Sequence, residues 1–429
     1  MKLNVALCAL PNTAMAEPLI APPLGILYLA SAIRNKVNLT IIDLNTYTSL
    51  DSFYKELEKF DVVGFTILSA NYHIFYKIAK NIRCYFPDIK IVVGGAHVDG
   101  FADFVLKDSE ADTCFLGEGE ASFFDYVVDF NKFKDYKTFK YPLIADLDTI
   151  AFPSRDLLDF SIYTRTIGGA PATNIITSRG CVGKCVFCNQ KLWQHKLRMH
   201  SAEYVLEEID DIKEKTGITR LFFLDDTFTV NKKRLSKILV GMKDRGIIWR
   251  CGTRSDFVTF EMLKEMKDCG CYAVYFGIES GSQKVLDKIN KGTTVEENYN
   301  AIIEAKKAGL NVRIALMVGC PDETIEDVIL TEKFVESVSE YIDDYIISTF
   351  VPIVGSPSFD NPELFNIELD KNEIFENRFA NYFFRGYEEV SGSVMSYTNK
   401  TKEEIKQHRK HLENFLSSNI KRDKTKTVR

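Results

Sequence analysis

The sequence predicts an α/β protein: an N-terminal doubly wound, Rossmann-like parallel sheet, then a partial (β/α)6 barrel, then a small C-terminal helical extension. Three observations predict it. Short apolar, β-rich runs alternate with helix-spaced segments, and strands that alternate with helices build parallel sheets covered on both faces. The alternation stops across 136–172, a stretch holding Pro142, Pro153 and Pro171, and then starts again. From about residue 360 it ceases. With 429 residues, 45% of them apolar, the chain has material for more than one core.

In the first series the strands are expected at 3–10, 39–44, 61–68, 90–97 and 112–117, with helices over 24–35 and 72–85 among the connections. Five strands make one domain, 1–135, and 136–172 reads as a linker. Residues 3–10 imitate the apolar part of a leader, but the run is short and Pro11 interrupts it, so it reads as the first strand. The longest uncharged stretch, 18–33, contains three prolines and is shorter than the roughly 20 residues of a membrane span.

The second series, 173–355, has strands expected near 174–180, 220–226, 249–254, 273–280, 312–319 and 345–352. Its helix starts are marked by Ser201 and by the pairs Thr294 with Glu297 and Thr324 with Asp327, which have capping-box spacing. Gly217 and Gly309 stand where two of these helices should end. Six βα units point to a parallel barrel with its chemistry at the strand carboxyl ends. In the extension, 356–429, Ile405, Leu412, Phe415 and Leu416 share a helical stripe, and 400–429 carries ten Lys/Arg against four Asp/Glu. We read it as an amphipathic helix with a solvated basic tail.

A formal charge of −6 argues against the broad basic surface that sequence-independent binding to nucleic acid requires. Ten cysteines in a chain this long are no disulfide scaffold. Three of them, Cys181, Cys185 and Cys188, fall within RGCVGKCVFCNQ (179–190), in C-x3-C-x2-C spacing just past an expected strand. Three soft thiolates on one short loop suit three irons of a cubane cluster, leaving one iron open to a substrate or cosubstrate. The alternatives are a zinc site completed by His195 or His200, or three ordinary cysteines; zinc sites prefer paired short spacings with a second half, absent here. Such a cluster implies a reducing compartment, the cytoplasm. Cys269, Cys271 and Cys320 read as packing.

The cysteine spacing, with Phe187 before the last cysteine, resembles the radical SAM superfamily, and so do RLFFLDDTFT, CGTRSDF, YFGIESGS, IALMVGCPDET and FVPIVGSP across about 170–355. The resemblance makes the barrel a radical SAM barrel. It implies a [4Fe-4S] cluster on Cys181, Cys185 and Cys188 whose open iron chelates S-adenosylmethionine, cleaved to a 5′-deoxyadenosyl radical. It further implies Phe187, Val351 and Pro352 beside the adenine, Glu279 with Ser280 at the ribose, and Asp226, Arg254 and Arg313 as polar contacts of the methionine moiety. Arginines of this kind also pair with acidic neighbours across a barrel.

The N-terminal segments PPLGILYLASAI (22–33), IIDLN, VVGFTILSA, IVVGGAH and GEGE (117–120) resemble the cobalamin-binding domain that precedes the barrel in one large class of that superfamily. By that resemblance Asn12, Leu24, Gly25, Ser69, Gly94, Gly95, His97, Gly117 and Glu118 line a cobalamin site, Ser69 lying near the nucleotide tail. Residues 11–24 contain no histidine, so the loop after the first strand offers no cobalt ligand. The function these resemblances imply is cobalamin-dependent methylation of an unactivated carbon by radical chemistry, on a small-molecule or peptide substrate, with an electron donor such as flavodoxin or ferredoxin. The rivals are a radical SAM enzyme that cyclises, oxidises or rearranges its substrate, and a non-catalytic cobalamin sensor. Tyr382, Phe383, Phe384 and Arg385 are conspicuous in the extension.

Overall fold

The computed structural model describes residues 2–11, 17–380 and 395–420. The chain forms two compact units, Met1–Tyr163 with Lys371–Arg385, and Thr164–Asp370 with Gly386–Arg429. Among the described residues no helix is long and apolar enough to cross a membrane.

In the first unit six strands, β1 (Asn4–Ala9), β2 (Asn38–Asp43), β3 (Val62–Thr66), β4 (Lys90–Gly94), β5 (Thr113–Leu116) and β6 (Thr138–Lys140), form one sheet in the order β2-β1-β3-β4-β5-β6. Every pairing is parallel. Strands buried on both faces read as unbroken apolar runs, and β1, with five consecutive buried residues, is one. The strand order reverses between β1 and β3, and the carboxyl ends flanking that point form the usual ligand crevice of such sheets. Asn12 lies outside the described residues.

The sheet has one strand more than the sequence suggested. Thr138-Phe139-Lys140 has a single buried side chain, too short a pattern to register as a strand. The expected linker as far as Tyr163 also joins this unit, and from Thr164 it belongs to the second. Ser31 Oγ lies 2.9 Å from Ser154 Oγ and Arg34 clamps Asp156 through two bonds of 2.8 and 2.6 Å, while Tyr163 Oη donates to Asp43 Oδ2 at 3.0 Å. These polar ties between residues about 120 positions apart carry no local signal.

The second unit holds β7 (Thr173–Ile175), β8 (Arg220–Phe223), β9 (Ile248–Thr253), β10 (Cys271–Glu279), β11 (Asn311–Val318) and β12 (Asp344–Thr349), parallel and in sequential order. The first was expected to run unbroken to 180; it ends at Ile175, and Ser178–Arg179 instead pairs antiparallel with Arg198–Met199. The helices start and stop where expected. Ser201 Oγ accepts from Tyr204 N, both capping boxes form, and Gly217 is left-handed at φ +68°. Alternate strand residues such as Leu221, Trp249, Cys251, Val274, Phe276, Val312 and Ile314 bury against the helices, which turns the residues between them toward the lumen.

The extension divides between the units. Helix α1 (Lys402–Asn419) packs Leu412 and Leu416 into the barrel core, with Phe415 partly buried against it, while Arg409 donates to Thr349 Oγ1 and Ile347 O. The stripe read from the sequence is therefore the buried face. Lys371–Arg385 instead belongs to the first unit. There Phe375 and Phe379 pack edge-on to Phe101 and His97, and Arg378 makes two 2.9 Å bonds to Asp108. Tyr382, Phe383, Phe384 and Arg385 lie outside the described residues.

Candidate cluster and cofactor site

The cysteine loop is anchored from below. Asp225, buried beyond β8, accepts from Thr177 N and Thr177 Oγ1 at 3.2 and 2.9 Å and from Ser178 Oγ, and Arg234 donates to His200 O and Thr177 O. Gly180 then turns the chain at φ +96°, where a Cβ would stand 2.2 Å from Lys196 O, so only glycine serves before Cys181.

The three thiols face one another. Gln190 joins two of the cysteines, its Oε1 accepting from Cys181 N at 3.2 Å and its Nε2 lying 3.3 Å from Cys188 Sγ. Gly183 N donates to Cys181 Sγ at 3.3 Å, and Thr227 Oγ1 stands 3.5 Å from the same sulfur. A Cβ built on Gly183 would lie 3.4 Å from Cys181 Sγ, 3.7 Å from Cys185 Sγ and 3.2 Å from Arg254 Nη1, so these groups share one small space. Burial pushes the Cys188 thiol up to about 11 against the Gln190 hydrogen bond. Burial also raises Cys185, and Lys291 and Arg254 oppose the rise. Among the described residues no three His, Cys, Asp or Glu are gathered around a single ion. Three ligands that each take a different iron must stand further apart than three ligands of one metal.

Around this loop the structure assembles most of the expected residues. Arg254, at the end of β9, grips Asp256 through two 2.9 Å bonds and donates to Lys291 O at 2.7 Å. Glu279, the last residue of β10, has a left-handed φ of +64° and takes Lys291 Nζ at 2.9 Å; both side chains are less than a tenth exposed. Desolvation raises the Asp226 carboxyl, and the Gln190 side chain opposes the rise. Phe187 meets Phe350 with ring centroids 6.3 Å apart, and Gly355 closes on Asn189, which brings the strand-six loop with Val351 and Pro352 alongside the cysteine loop.

Two expected residues stand elsewhere. Arg313 is the third residue of β11, toward its amino end, with Nε 3.0 Å from Asp344 Oδ2 on the neighbouring strand, so it pairs there instead of reaching the mouth. Ser280 is buried, and its hydroxyl is shared with Thr331 Oγ1 and Ser282 N, so it builds the turn after Glu279. Cys320 and Cys271 are buried in apolar clusters and Cys269 packs beside the second, as expected. Lys291 and Gln190 were missed from sequence. Lys291 lies in Asn290-Lys291-Gly292, in the connection after β10, and a long loop at a strand carboxyl end was the available signal.

At the strand ends of the first unit a Cβ on Gly25 or Gly117 would meet nothing within 4 Å, so the backbone there is open to close approach. Gly117 N donates to Asp99 Oδ1 at 2.6 Å. Gly95, at φ +104°, is required by the fold itself, because its Cβ would stand 2.7 Å from Ile67 O; at Gly94 the nearest contact, 3.5 Å, is ordinary. Ser69 Oγ lies 2.9 Å from His97 Nδ1, and His97 is fully buried and stacked on Tyr72 at 4.5 Å. Its Nε2 has no hydrogen-bond partner among the described residues, an orphaned polar atom that a ligand amide or hydroxyl would satisfy. Leu24 is buried, and Glu118 accepts from Ile144 N at 2.7 Å, so Glu118 secures the segment beyond β6.

A barrel whose mouth carries three cysteines on one loop, with a carboxylate and two cations around them, is the architecture of an enzyme that holds a site-differentiated iron–sulfur cluster; behind a doubly wound domain with an open glycine rim it defines a two-cofactor class. The chain belongs to the radical SAM superfamily, in the class carrying a B12-binding domain: the Radical SAM superfamily matches residues 175–335, and the B12 binding domain matches 18–126. The cofactors these domains imply are a [4Fe-4S] cluster, S-adenosylmethionine and cobalamin, and the donor sets just described fit them.

A relative from Pyrococcus horikoshii described as an uncharacterized methyltransferase is 35% identical over 381 residues, covering 82% of each chain. The cytidylyl-2-hydroxyethylphosphonate methyltransferase of Streptomyces wedmorensis is 27% identical, covering 71% of this chain and 67% of its own. The fold matches that of the cobalamin-dependent S-adenosylmethionine radical enzyme OxsB, with a TM-score of 0.68 at 19% identity, over 98% of this chain and 62% of OxsB. The chain thus spans about three-fifths of OxsB's length.

Proposed function

We propose that the protein is a cobalamin-dependent radical SAM methyltransferase acting on an unactivated carbon. The observation that carries the proposal is that the Cys181 and Cys185 thiols share one small space with Arg254, with Cys188 within electrostatic reach of both and the Lys291–Glu279 pair beside them. The methyltransferase names of the two relatives support methyl transfer as the outcome.

When bound, the cluster with S-adenosylmethionine supplies a 5′-deoxyadenosyl radical able to take hydrogen from carbon, and cobalamin supplies the methyl group. The chain's own residues bind and orient. Three thiolates hold the cluster, and the Gly183 amide and Gln190 carboxamide donate toward two of the sulfurs, which stabilises negative charge on them and tunes the potential. Arg254 and Lys291 are cations suited to the carboxylate of the methionine moiety. Glu279 accepts from ribose hydroxyls, Phe187, Val351 and Pro352 flank the adenine, and Asp226 takes the amino group. Leu24, Gly25, Ser69, Gly94, Gly95, His97, Gly117 and Glu118 would border the corrinoid and its tail. The electron comes from a flavodoxin or ferredoxin in the cytoplasm, and the substrate is a small molecule or peptide.

The test is anaerobic reconstitution with iron, sulfide, cobalamin, S-adenosylmethionine and reductant. Formation of both 5′-deoxyadenosine and S-adenosylhomocysteine is expected. Deoxyadenosine alone would move the assignment to radical cyclisation, oxidation or rearrangement, and neither product would sink it.

A further inference from the structure

Below the mouth, the barrel lumen contains a second charged layer that the cofactors do not use. Register sets Asn174 beside Phe222, Phe222 beside Arg250, Tyr275 beside Arg313, and Arg313 beside Asp344. Trp249 and Cys251 are buried against the helices, so Arg250 between them points inward. The Arg250 guanidinium lies flat over Phe222 at 3.9 Å, and Arg165 approaches the same ring at 5.1 Å. Arg165, Arg250 and Arg313 thus gather in this layer, and the Asp344 carboxylate there is already held by Arg313, whose Nε lies 3.0 Å from it.

Arg250 is 6% exposed, yet its Nε has no hydrogen-bond acceptor among the described residues, and its side chain forms no ion pair there. Burial, with Arg165 and Arg313 near, pulls it down to about 8. A buried guanidinium without a carboxylate of its own is costly unless an anion arrives. Two residues beyond Arg250, Tyr275 and Arg313, on the same faces, stand Gly252, Gly277 and Ala315, and the Glu279 and Lys291 side chains take up the space beside Gly277. A Cβ on Gly252 would meet nothing closer than 3.8 Å, so the lumen is open on that side. Arg254 follows at the mouth, four residues or about 13 Å of strand beyond Arg250.

We propose that Arg250 anchors an oxyanion, a carboxylate or phosphoryl group carried by the substrate, at the floor of the lumen, so that the rest of the substrate rises past Gly252 toward the cluster. The substrate is therefore an organic anion. Naming the anion's carrier as the substrate rests on the function proposed above; the anion site itself does not.

The test is calorimetric titration of the full-length holoprotein at constant ionic strength with inorganic phosphate, with acetate, propionate and hexanoate, and with neutral acetamide. The carboxylates are expected to bind more tightly as the chain lengthens, acetamide is expected not to bind, and Arg250→Gln is expected to weaken anion binding by about tenfold or more. Equal binding by the wild type and Arg250→Gln overturns the site. Phosphate binding at Arg250 with no gain along the carboxylate series marks a free inorganic anion and overturns the assignment to substrate. Should Arg250→Gln fail to fold, wild-type crystals soaked in selenate decide: an anomalous peak within hydrogen-bonding distance of the Arg250 guanidinium supports the site, and its absence overturns it. Wild-type protein that binds these anions but cleaves no S-adenosylmethionine overturns the proposed function and leaves the anion site standing.

Discussion

The Lys291 ammonium reaches the Glu279 carboxylate at 2.9 Å because residue 277 has no side chain: a Cβ there would stand 2.6 Å from Glu279 Oε1 and 2.8 Å from Lys291 Nζ. Gly277 is thus a spacer for an ion pair at the edge of the cluster loop. Gly277→Ala is expected to push the pair apart and raise the Kd for S-adenosylmethionine about tenfold, with the far-ultraviolet circular dichroism unchanged. Equilibrium dialysis of the reconstituted protein checks it, and an unaltered Kd would show that the pair has no part in binding.

Replacing Cys181, Cys185 or Cys188 singly with alanine is expected to remove the cluster, read as loss of iron, acid-labile sulfide and the brown chromophore. Cys320→Ala and Cys271→Ala should leave the iron content at the wild-type level, because both thiols are fully buried among apolar side chains, Cys320 beside Val186 and Phe187 of the loop. Iron retained in the Cys185 variant would refute the three-thiolate assignment.

Burial lowers His97 to about 3, far below its ordinary value of 6.5. The unfolded chain therefore binds a proton near pH 6 that the folded chain refuses. Stability due to this group is full above about pH 6.5 and falls by about 1.4 kcal/mol per pH unit between roughly 6 and 3. Asp99 on the same helix opposes it: burial raises that carboxyl to about 6, so the folded state takes up its proton first and gains stability as pH falls through that value. The difference in urea midpoint between wild type and His97→Gln, followed from pH 7 to pH 4, isolates the histidine. Parallel curves would show that His97 is solvated.

Leu412 is fully buried in the barrel core although it comes from the terminal helix. Leu412→Ala is expected to cost about 2–5 kcal/mol, the range for large-to-small changes in a packed core, and to lower the thermal midpoint by several degrees. A shift under one degree would mean that the helix is not seated on the barrel.

Much of this was legible in the sequence because it is periodic or dense. Five strands of the first sheet and all six barrel strands announce themselves as apolar runs, since both faces of each are covered. The cysteine loop is legible because three ligands lie within eight residues. The three-residue strand Thr138–Lys140 was not, because one buried side chain makes no period. Nor were the partners of Glu279 and Arg254. Their contacts with Lys291 come from a loop whose course depends on the fold around it, so a lone lysine between Asn290 and Gly292 carries no mark of its destination. Arg313 misled for the opposite reason: its residue type suited a carboxylate, but its place early in β11 gave it Asp344.

Phe375 and Phe379 complete the first unit from a point in the chain more than 200 residues beyond Tyr163. Anyone who excises the opening 163 residues for expression therefore leaves His97 and Phe101 without two of their aromatic neighbours and Asp108 without its arginine. A swap of this unit between related proteins must carry two stretches of polypeptide, and the later stretch is the one a conventional boundary would discard.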